Sequence, residues 1–316
     1  MKSTFRLALC IPLALVAVLC LAGLQLKPGP DLTAVRAAGQ AQAPYDQNYD
    51  QGTDPAAVNQ AQEPSGQSYT TEAPPADQSS DDSGVAEQPT ATSNEAPPPL
   101  PEYTQPPPPS DDYVWTPGYW AWGPYGYYWV PGVWVEPPFI GALWTPGYWG
   151  FYGGRYLWYP GHWGRHIGFY GGINYGFGYV GFGYEGGYWN SGHFFYNRVY
   201  NNINMGRVRN VYSYRANVRV NNYVRNARVN NAIRPSYRGG PNGVQVQPRA
   251  SEGAAYREPT APHMTTQVQH AQNYSMVRGQ YATENHGKPA TAAESRPLRA
   301  EPNVKPQVRG NNNGRR

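Results

Sequence analysis

Four copies of one motif, Trp-x-Pro-Gly-x-Trp, constrain this chain more than any other feature. They are Trp115-Thr-Pro-Gly-Tyr-Trp120, Trp129-Val-Pro-Gly-Val-Trp134, Trp144-Thr-Pro-Gly-Tyr-Trp149 and Trp158-Tyr-Pro-Gly-His-Trp163. Eight of the ten tryptophans lie in them, and the copies begin 14, 15 and 14 residues apart. A chain reversal at Pro124-Tyr125 opposes residues whose numbers sum to 249, so Trp120 meets Trp129 and Trp115 meets Trp134. A reversal at Gly153-Gly154 opposes residues that sum to 307, so Trp149 meets Trp158 and Trp144 meets Trp163. Gly-Gly suits a two-residue hairpin turn, because both positions accept positive φ. The spacing therefore predicts two antiparallel hairpins with cross-strand indole pairs.

Proline inside a strand removes a ladder donor. Here every Pro falls opposite a Gly, so the break is shared. Trp115 and Trp120 are five apart, and a regular strand would put them on opposite faces. A bulge at Pro-Gly returns both to one face. The rival is a type II turn centred on Pro-Gly; the mirrored numbering favours the bulge.

The rings alone cannot offset the cost of ordering about fifty residues. A second layer is required, and the Gly/Tyr-rich residues 167–204 are the nearest source. The expected fold is mostly β: a small antiparallel hairpin or meander domain rich in Trp, Tyr and Gly, flanked by long disordered arms. Tyr188-Trp189 and Gly192-His193 resemble a fifth, decayed copy of the repeat.

The flanks differ in charge. Residues 37–112 hold thirteen acids and no Lys or Arg, and end in the proline runs 97–99 and 106–109. This reads as an acidic disordered tether that stiffens toward the repeats. Residues 198–234 hold eight arginines and no acid. Arg207, Arg209, Arg215, Arg219, Arg225 and Arg228 are candidate contacts for a polyanion: an anionic lipid, an envelope polymer or the chain's own tether. Residues 236–316 read as a mostly disordered tail with one short amphipathic helix within 265–283.

Lys2 and Arg6 precede an uncharged apolar run at residues 7–24. This is an export signal or, if uncleaved, a membrane anchor. The divisions are thus residues 1–36 signal or anchor, 37–112 tether, 113–166 repeat hairpins, 167–204 Gly/Tyr block, 205–235 Arg/Asn/Val segment and 236–316 tail. Cys10 and Cys20 both fall in the apolar run. Export puts the body outside the cytoplasm, so no nucleic-acid partner is expected.

Tyr113-Val-Trp115 followed by Gly118-Tyr-Trp120 resembles the YXWGXW repeat of a family found in exported bacterial proteins. The leading Tyr recurs at Tyr127 and Tyr156, while the third copy has Ala142 there. The Gly-rich block and Asn285-His-Gly-Lys-Pro289 are similar to segments that trail these repeats. The resemblance implies an exported protein of a Gram-negative cell, and carries no activity onto residues here.

No catalytic set stands out. Glu136 and Glu185 are the one carboxylate pair within the aromatic block. Ser191 and His193 lack an acid at a spacing that would orient the imidazole. His162 and His166 have helical metal-pair spacing, but the surrounding Pro160, Gly161 and Gly164 argue against a helix. No catalytic, cofactor-binding or metal residue is assigned. The expected function is a non-enzymatic structural or interaction protein of the cell envelope, periplasmic or envelope-associated. The alternative is a module that stacks exposed rings on envelope glycan, drawn from Trp115, Trp120, Trp129, Trp134, Trp144, Trp149, Trp158 and Trp163.

Overall fold

The computed structural model describes residues 54–62, 88–216, 234–301 and 306–307. The apolar run at 7–24 and Arg219, Arg225 and Arg228 lie outside them. Ahead of the repeats stands a short strand, β1 (Ala91–Ser93). The first two motif copies form β2 (Val114–Thr116), β3 (Tyr119–Gly123), β4 (Gly126–Val130) and β5 (Val133–Val135). The next two form β6 (Leu143–Thr145), β7 (Tyr148–Tyr152), β8 (Arg155–Tyr159) and β9 (His162–Gly164).

The expected register holds throughout. Trp115 pairs with Trp134 and Trp120 with Trp129. Trp144 pairs with Trp163 and Trp149 with Trp158. Each pair also brings its rings together, with centroids 5.1–5.5 Å apart. Gly153 and Gly154 turn the second hairpin with φ of 57° and 80°, which only glycine adopts at little cost.

The Pro-Gly steps follow neither of the simple readings. A type II turn needs positive φ at its glycine, and Gly118, Gly132, Gly147 and Gly161 are not among the positive-φ residues. A one-sided bulge would change the register sum across the step, and it stays at 249 and 307. Both strands break together instead. The glycines are needed for space. A Cβ on Gly118 would sit 2.3 Å from Trp129 Cζ2, and one on Gly132 would sit 2.6 Å from Trp115 Cζ2. Gly147 stands in the same relation to Trp158 and Gly161 to Trp144, at 2.6 and 2.5 Å. The first Trp of each copy thus lies across the glycine of the copy opposite.

Each break frees backbone polar groups that must find partners elsewhere. Gly118 N donates to Tyr103 Oη at 3.1 Å. Tyr175 Oη donates to the Gly147 carbonyl at 2.6 Å. Gly132 exchanges bonds with Ala292 and Glu294. Beyond the break, Trp163 in β9 does so with Ala261 along its free edge. The breaks are among the places where the rest of the chain docks.

The Gly/Tyr block supplies the second layer, with β10 (Asn174–Gly176), β11 (Tyr179–Val180), β12 (Gly187–Asn190) and β13 (His193–Asn197). Tyr179 is wholly buried between the two hairpins. Its hydroxyl lies 3.1 Å from the Trp115 carbonyl and 2.9 Å from that of Trp144, equivalent positions in the two halves. Tyr179→Phe removes this bridge while keeping the ring. We expect a loss of about 1–3 kcal/mol, because two buried acceptors lose a donor; urea unfolding measures it.

Where they are described, the parts of the arms beside the repeats are more ordered than the sequence expectation had them. β1 adds to β8, and β7 takes on β15 (Tyr237–Arg238) in parallel, giving the order β1-β8-β7-β15. Between these two, β14 (Val211–Tyr212) pairs in parallel with β13. Residues 97–106, expected as the stiffened end of the tether, cross the repeats as a strap. Trp120 Nε1 donates to the Pro99 carbonyl at 3.0 Å and Trp134 Nε1 to that of Pro106 at 2.6 Å. Leu100 and Gln105 are buried.

The tail is ordered where described, and the one short helix expected within 265–283 is present at Thr265–Ser275. The tail forms α1 (Ala250–Ala255), α2 (Thr265–Ser275) and α3 (Ala282–Asn285). Tyr256, Ala261, Met264 and Tyr281 join the core. Composition understated the order of these described parts because their carbonyls and few apolar side chains meet donors and rings that only the folded repeats present.

Candidate functional site

The eight repeat indoles do not form a binding surface. The most exposed is Trp158, at 9%. Trp129 Nε1 donates to the Ala292 carbonyl, Trp149 Nε1 to that of Trp120, and Trp163 Nε1 to Gln267 Oε1. The rings are core, and several N–H groups anchor segments that cross them. Among the described residues, the exposed Trp and Tyr are at the tip of the first hairpin, where Trp122 is 36% and Tyr125 74% exposed.

Of the arginines, Arg207, Arg209 and Arg215 are described, and all three are exposed. Arg209 Nε meets Asp111 Oδ2 at 2.9 Å, an acid of the tether side against a base of the Arg segment. At the surface such a pair is worth about 0–1 kcal/mol.

The catalytic candidates separate. Glu136 Oε2 accepts from Ala300 N. Glu185 faces Asp54 instead. His193 Nδ1 lies 3.5 Å from Asp112 Oδ2, an acid that sequence spacing did not single out, but the Ser191 hydroxyl is turned to Asn190 Oδ1. His162 is buried against the Tyr256 ring. His166 Nδ1 pairs with Glu258 at 2.8 Å beside a cleft of about 330 Å³ lined by both residues, Arg165, Pro259 and Pro306. Among the described residues no three His, Cys, Asp or Glu converge as metal ligands, and no helix is long and apolar enough to cross a membrane.

One polar cluster was missed altogether. Asp54 caps a 3-10 turn, Pro55–Asn59, with its Oδ1 accepting from Ala56 N at 2.9 Å. Asn59 at the end of that turn is buried. Its Nδ2 donates to the carbonyls of Tyr184 and Gly187, each at 2.8 Å. From the opposite side Asn197 Nδ2 donates to the Glu185 carbonyl at 3.0 Å. Two buried amides thus clamp the loop before β12 and hold Glu185 inward, 3% exposed. Its Oε2 has no hydrogen-bond partner, nor have the buried hydroxyls of Tyr184 and Tyr212. Burial first, and then the Asp54 carboxyl within hydrogen-bonding reach, push Glu185 up to about 8. Spacing could not reveal this cluster, since its carboxylates are 131 positions apart.

The comparison with known families bears on the repeat. Residues 111–135 match the WXXGXW repeat, in two copies. The chain carries the WXXGXW repeat. Residues 144–163 place the same Trp, Pro and Gly at the same spacing, beyond the matched stretch. No curated protein and no solved structure matches the chain. The repeat's glycine is the residue lying against the opposite indole, and its two Trp form the cross-strand pairs.

A second buried acid gives a pH test. Glu252 Oε2 accepts from Arg249 N at the start of α1, and Oε1 has no partner. Burial pushes this carboxyl from its usual 4.5 up to about 7. The folded value lies above the unfolded one, so its contribution is full below pH 4.5 and is lost as pH rises through about 7. His263 works oppositely. Burial pushes it down to about 4, and its contribution is lost as pH falls from 6.5 toward 4. The difference between wild type and Glu252→Gln isolates the carboxyl. We expect the variant to gain on the order of 2–3 kcal/mol relative to wild type between pH 4.5 and 7.5, measured by urea unfolding in a buffer series.

Proposed function

We propose that this chain is an exported, non-enzymatic structural or interaction protein of the bacterial cell envelope. The observation that carries the reading is the use made of the tryptophans. All eight repeat rings are consumed in the core, and their N–H groups and backbone breaks collect extended segments from both arms. A repeat used in this way is a scaffold. The basic flank and apolar run at residues 1–24 support export, and the exposed Arg207 and Arg215 suit an anionic envelope polymer or lipid.

The test of location is a reporter fused after Arg316. We expect activity outside the cytoplasm; activity confined to the cytoplasm removes the envelope reading. A second reading, glycan stacking, is favoured only by the exposed tip of the first hairpin. On that reading, Trp122→Ala with Tyr125→Ala would release the full chain from purified envelope glycan. Retention of the doubly substituted chain would rule it out.

A further inference from the structure

We propose that α2 is an acid-sensitive clasp: charging of His263 and His270 loosens this helix from the hairpins and uncovers the repeats beneath it. Both imidazoles come from the tail and stand on the repeats. His270, in the second turn of α2, is 8% exposed, and its Nε2 donates to the Pro131 carbonyl at 3.0 Å. Pro131 belongs to the second motif copy, so the bond lands at an interrupted ladder. The His263 ring, just ahead of the helix, lies across the Trp144 ring at 74° with centroids 4.8 Å apart. Trp163 Nε1 adds a third attachment, donating to Gln267 Oε1 at 2.8 Å.

The two rings line one cavity of about 20 Å³, together with Gln267, Trp144, Val133 and Leu298. That space takes about one water molecule, too little to hydrate a charge. No carboxylate, lysine or arginine lines it among the described residues. The charged groups around α2 lie outside the cavity. Glu294 acts on His270, but its carboxylate already accepts from Tyr274 Oη at 2.6 Å and from Arg296 N at 3.1 Å. Glu301 Oε1 accepts from Thr266 N at the start of the helix, at 2.8 Å. Arg296 and Arg299 bring backbone atoms to these contacts.

Burial pushes His263 from its usual 6.5 down to about 4. Burial also lowers His270, against the Pro131 bond and Glu294, which act to raise it. When α2 opens, both rings return to water and their ordinary values. The closed form is therefore favoured in full above pH 6.5 and loses ground as pH falls toward 4. The first hairpin has no matching group, since residues 113–135 hold no Asp, Glu, Lys, Arg or His. Mild acid thus acts on the clasp and spares that hairpin. Local opening of one helix needs far less free energy than unfolding the body.

The test is hydrogen exchange of the full chain at pH 7 and pH 5, with protection corrected for the intrinsic exchange rate. We expect protection of the α2 amides to fall about tenfold or more at pH 5, relative to those of β7 and β8. In the double variant His263→Leu with His270→Gln the apolar contact and the donor to Pro131 are kept without a chargeable ring. Its α2 should hold its protection at pH 5. If that variant does not fold, His263→Leu alone should remove most of the fall, because His263 is the more strongly depressed of the two. Glu301→Gln should leave the fall in place. Unchanged α2 protection in the wild type at pH 5 would overturn the clasp, as would a loss shared equally by β7 and β8. An equal fall in a folded His263→Leu chain or in the double variant would overturn it in favour of carboxylates such as Glu294.

Discussion

Gly118→Ala is expected to cost about 3 kcal/mol or more, although it adds one methyl group. The new Cβ would stand 2.3 Å from Trp129 Cζ2, 2.7 Å from Trp129 Cε2 and 2.9 Å from the Gly132 amide nitrogen. None of these atoms ends a flexible side chain. Trp129 is 1% exposed, pairs with Trp120 across the ladder and donates to the Ala292 carbonyl. Moving it disturbs the hairpin and the tail together. The cause can be isolated. Trp129→Phe removes the six-membered half of the indole that carries Cζ2, and should cost a few kcal/mol alone through the cavity left. In Gly118→Ala with Trp129→Phe the methyl enters vacated space, so the double variant should be more stable than the sum of the single losses implies. Additive losses would mean that the glycine is required for a reason other than the indole. Gly253→Ala is a control, since its Cβ meets nothing within 4 Å on a helical position, and it should be neutral or stabilising by up to about 1 kcal/mol. Urea unfolding of the four chains decides the matter.

The same contact shows what could be read from the sequence and what could not. The mirrored Trp positions fixed the register, because period-two side chains tolerate no slip when the paired faces are buried. Gly153-Gly154 marked its turn through the positive φ that both residues adopt. The role of the motif glycine was not legible. Pro-Gly is equally good chemistry for a turn, a bulge or a close approach, and only the position of the opposite indole distinguishes them.

The described parts of the arms were only partly legible for a related reason. Pro99, Tyr103, Gln105 and Ala292 look like solvated coil, because local composition reports no partner 20 or more residues away. Eight indole N–H groups and two interrupted ladders could have signalled that some partners must arrive from outside the repeats. That argument gives the need and not the supplier. For Asp54 and Glu185 no signal existed at all: an acid in an acidic tether and a lone Glu among glycines meet only in the fold. Asn59 and Asn197, each buried and each donating to the carbonyls of the same loop, are ordinary residues in the sequence.

Deleting residues 88–107 should abolish the cooperative folding of the repeats, even though every repeat tryptophan remains. The strap contributes β1 to the edge of β8, buries Leu100 and Gln105, and sets the Tyr103 ring against Trp129 and Phe177. Its carbonyls also meet Trp120 and Trp134. The two indole bonds are the smaller part of the loss, since water can accept from an exposed N–H and the net value of such a bond is about 1 kcal/mol. Burial is the larger part, because Trp120, Trp129 and Trp134 would lose a covering layer, and a buried aromatic is worth several kcal/mol. Proline suits the covering segment: it has no N–H to leave unpaired, and its extended form loses little entropy on docking. The loss should therefore exceed about 5 kcal/mol, a large fraction of what a domain of this kind possesses. Near-ultraviolet circular dichroism reports it directly through the ordered indoles. Two graded variants keep the result interpretable if the deletion merely aggregates. Leu100→Ala should cost about 2–4 kcal/mol by the cavity it leaves. Tyr103→Phe should cost about 1 kcal/mol, since the Gly118 amide loses its acceptor while the ring contacts persist. A deletion variant with native near-ultraviolet signal and unchanged urea midpoint would show that the hairpins stand on the Gly/Tyr layer alone. A synthetic peptide of residues 88–109 added to the deleted chain should restore the signal if the strap acts by covering the rings rather than by guiding the chain as it folds.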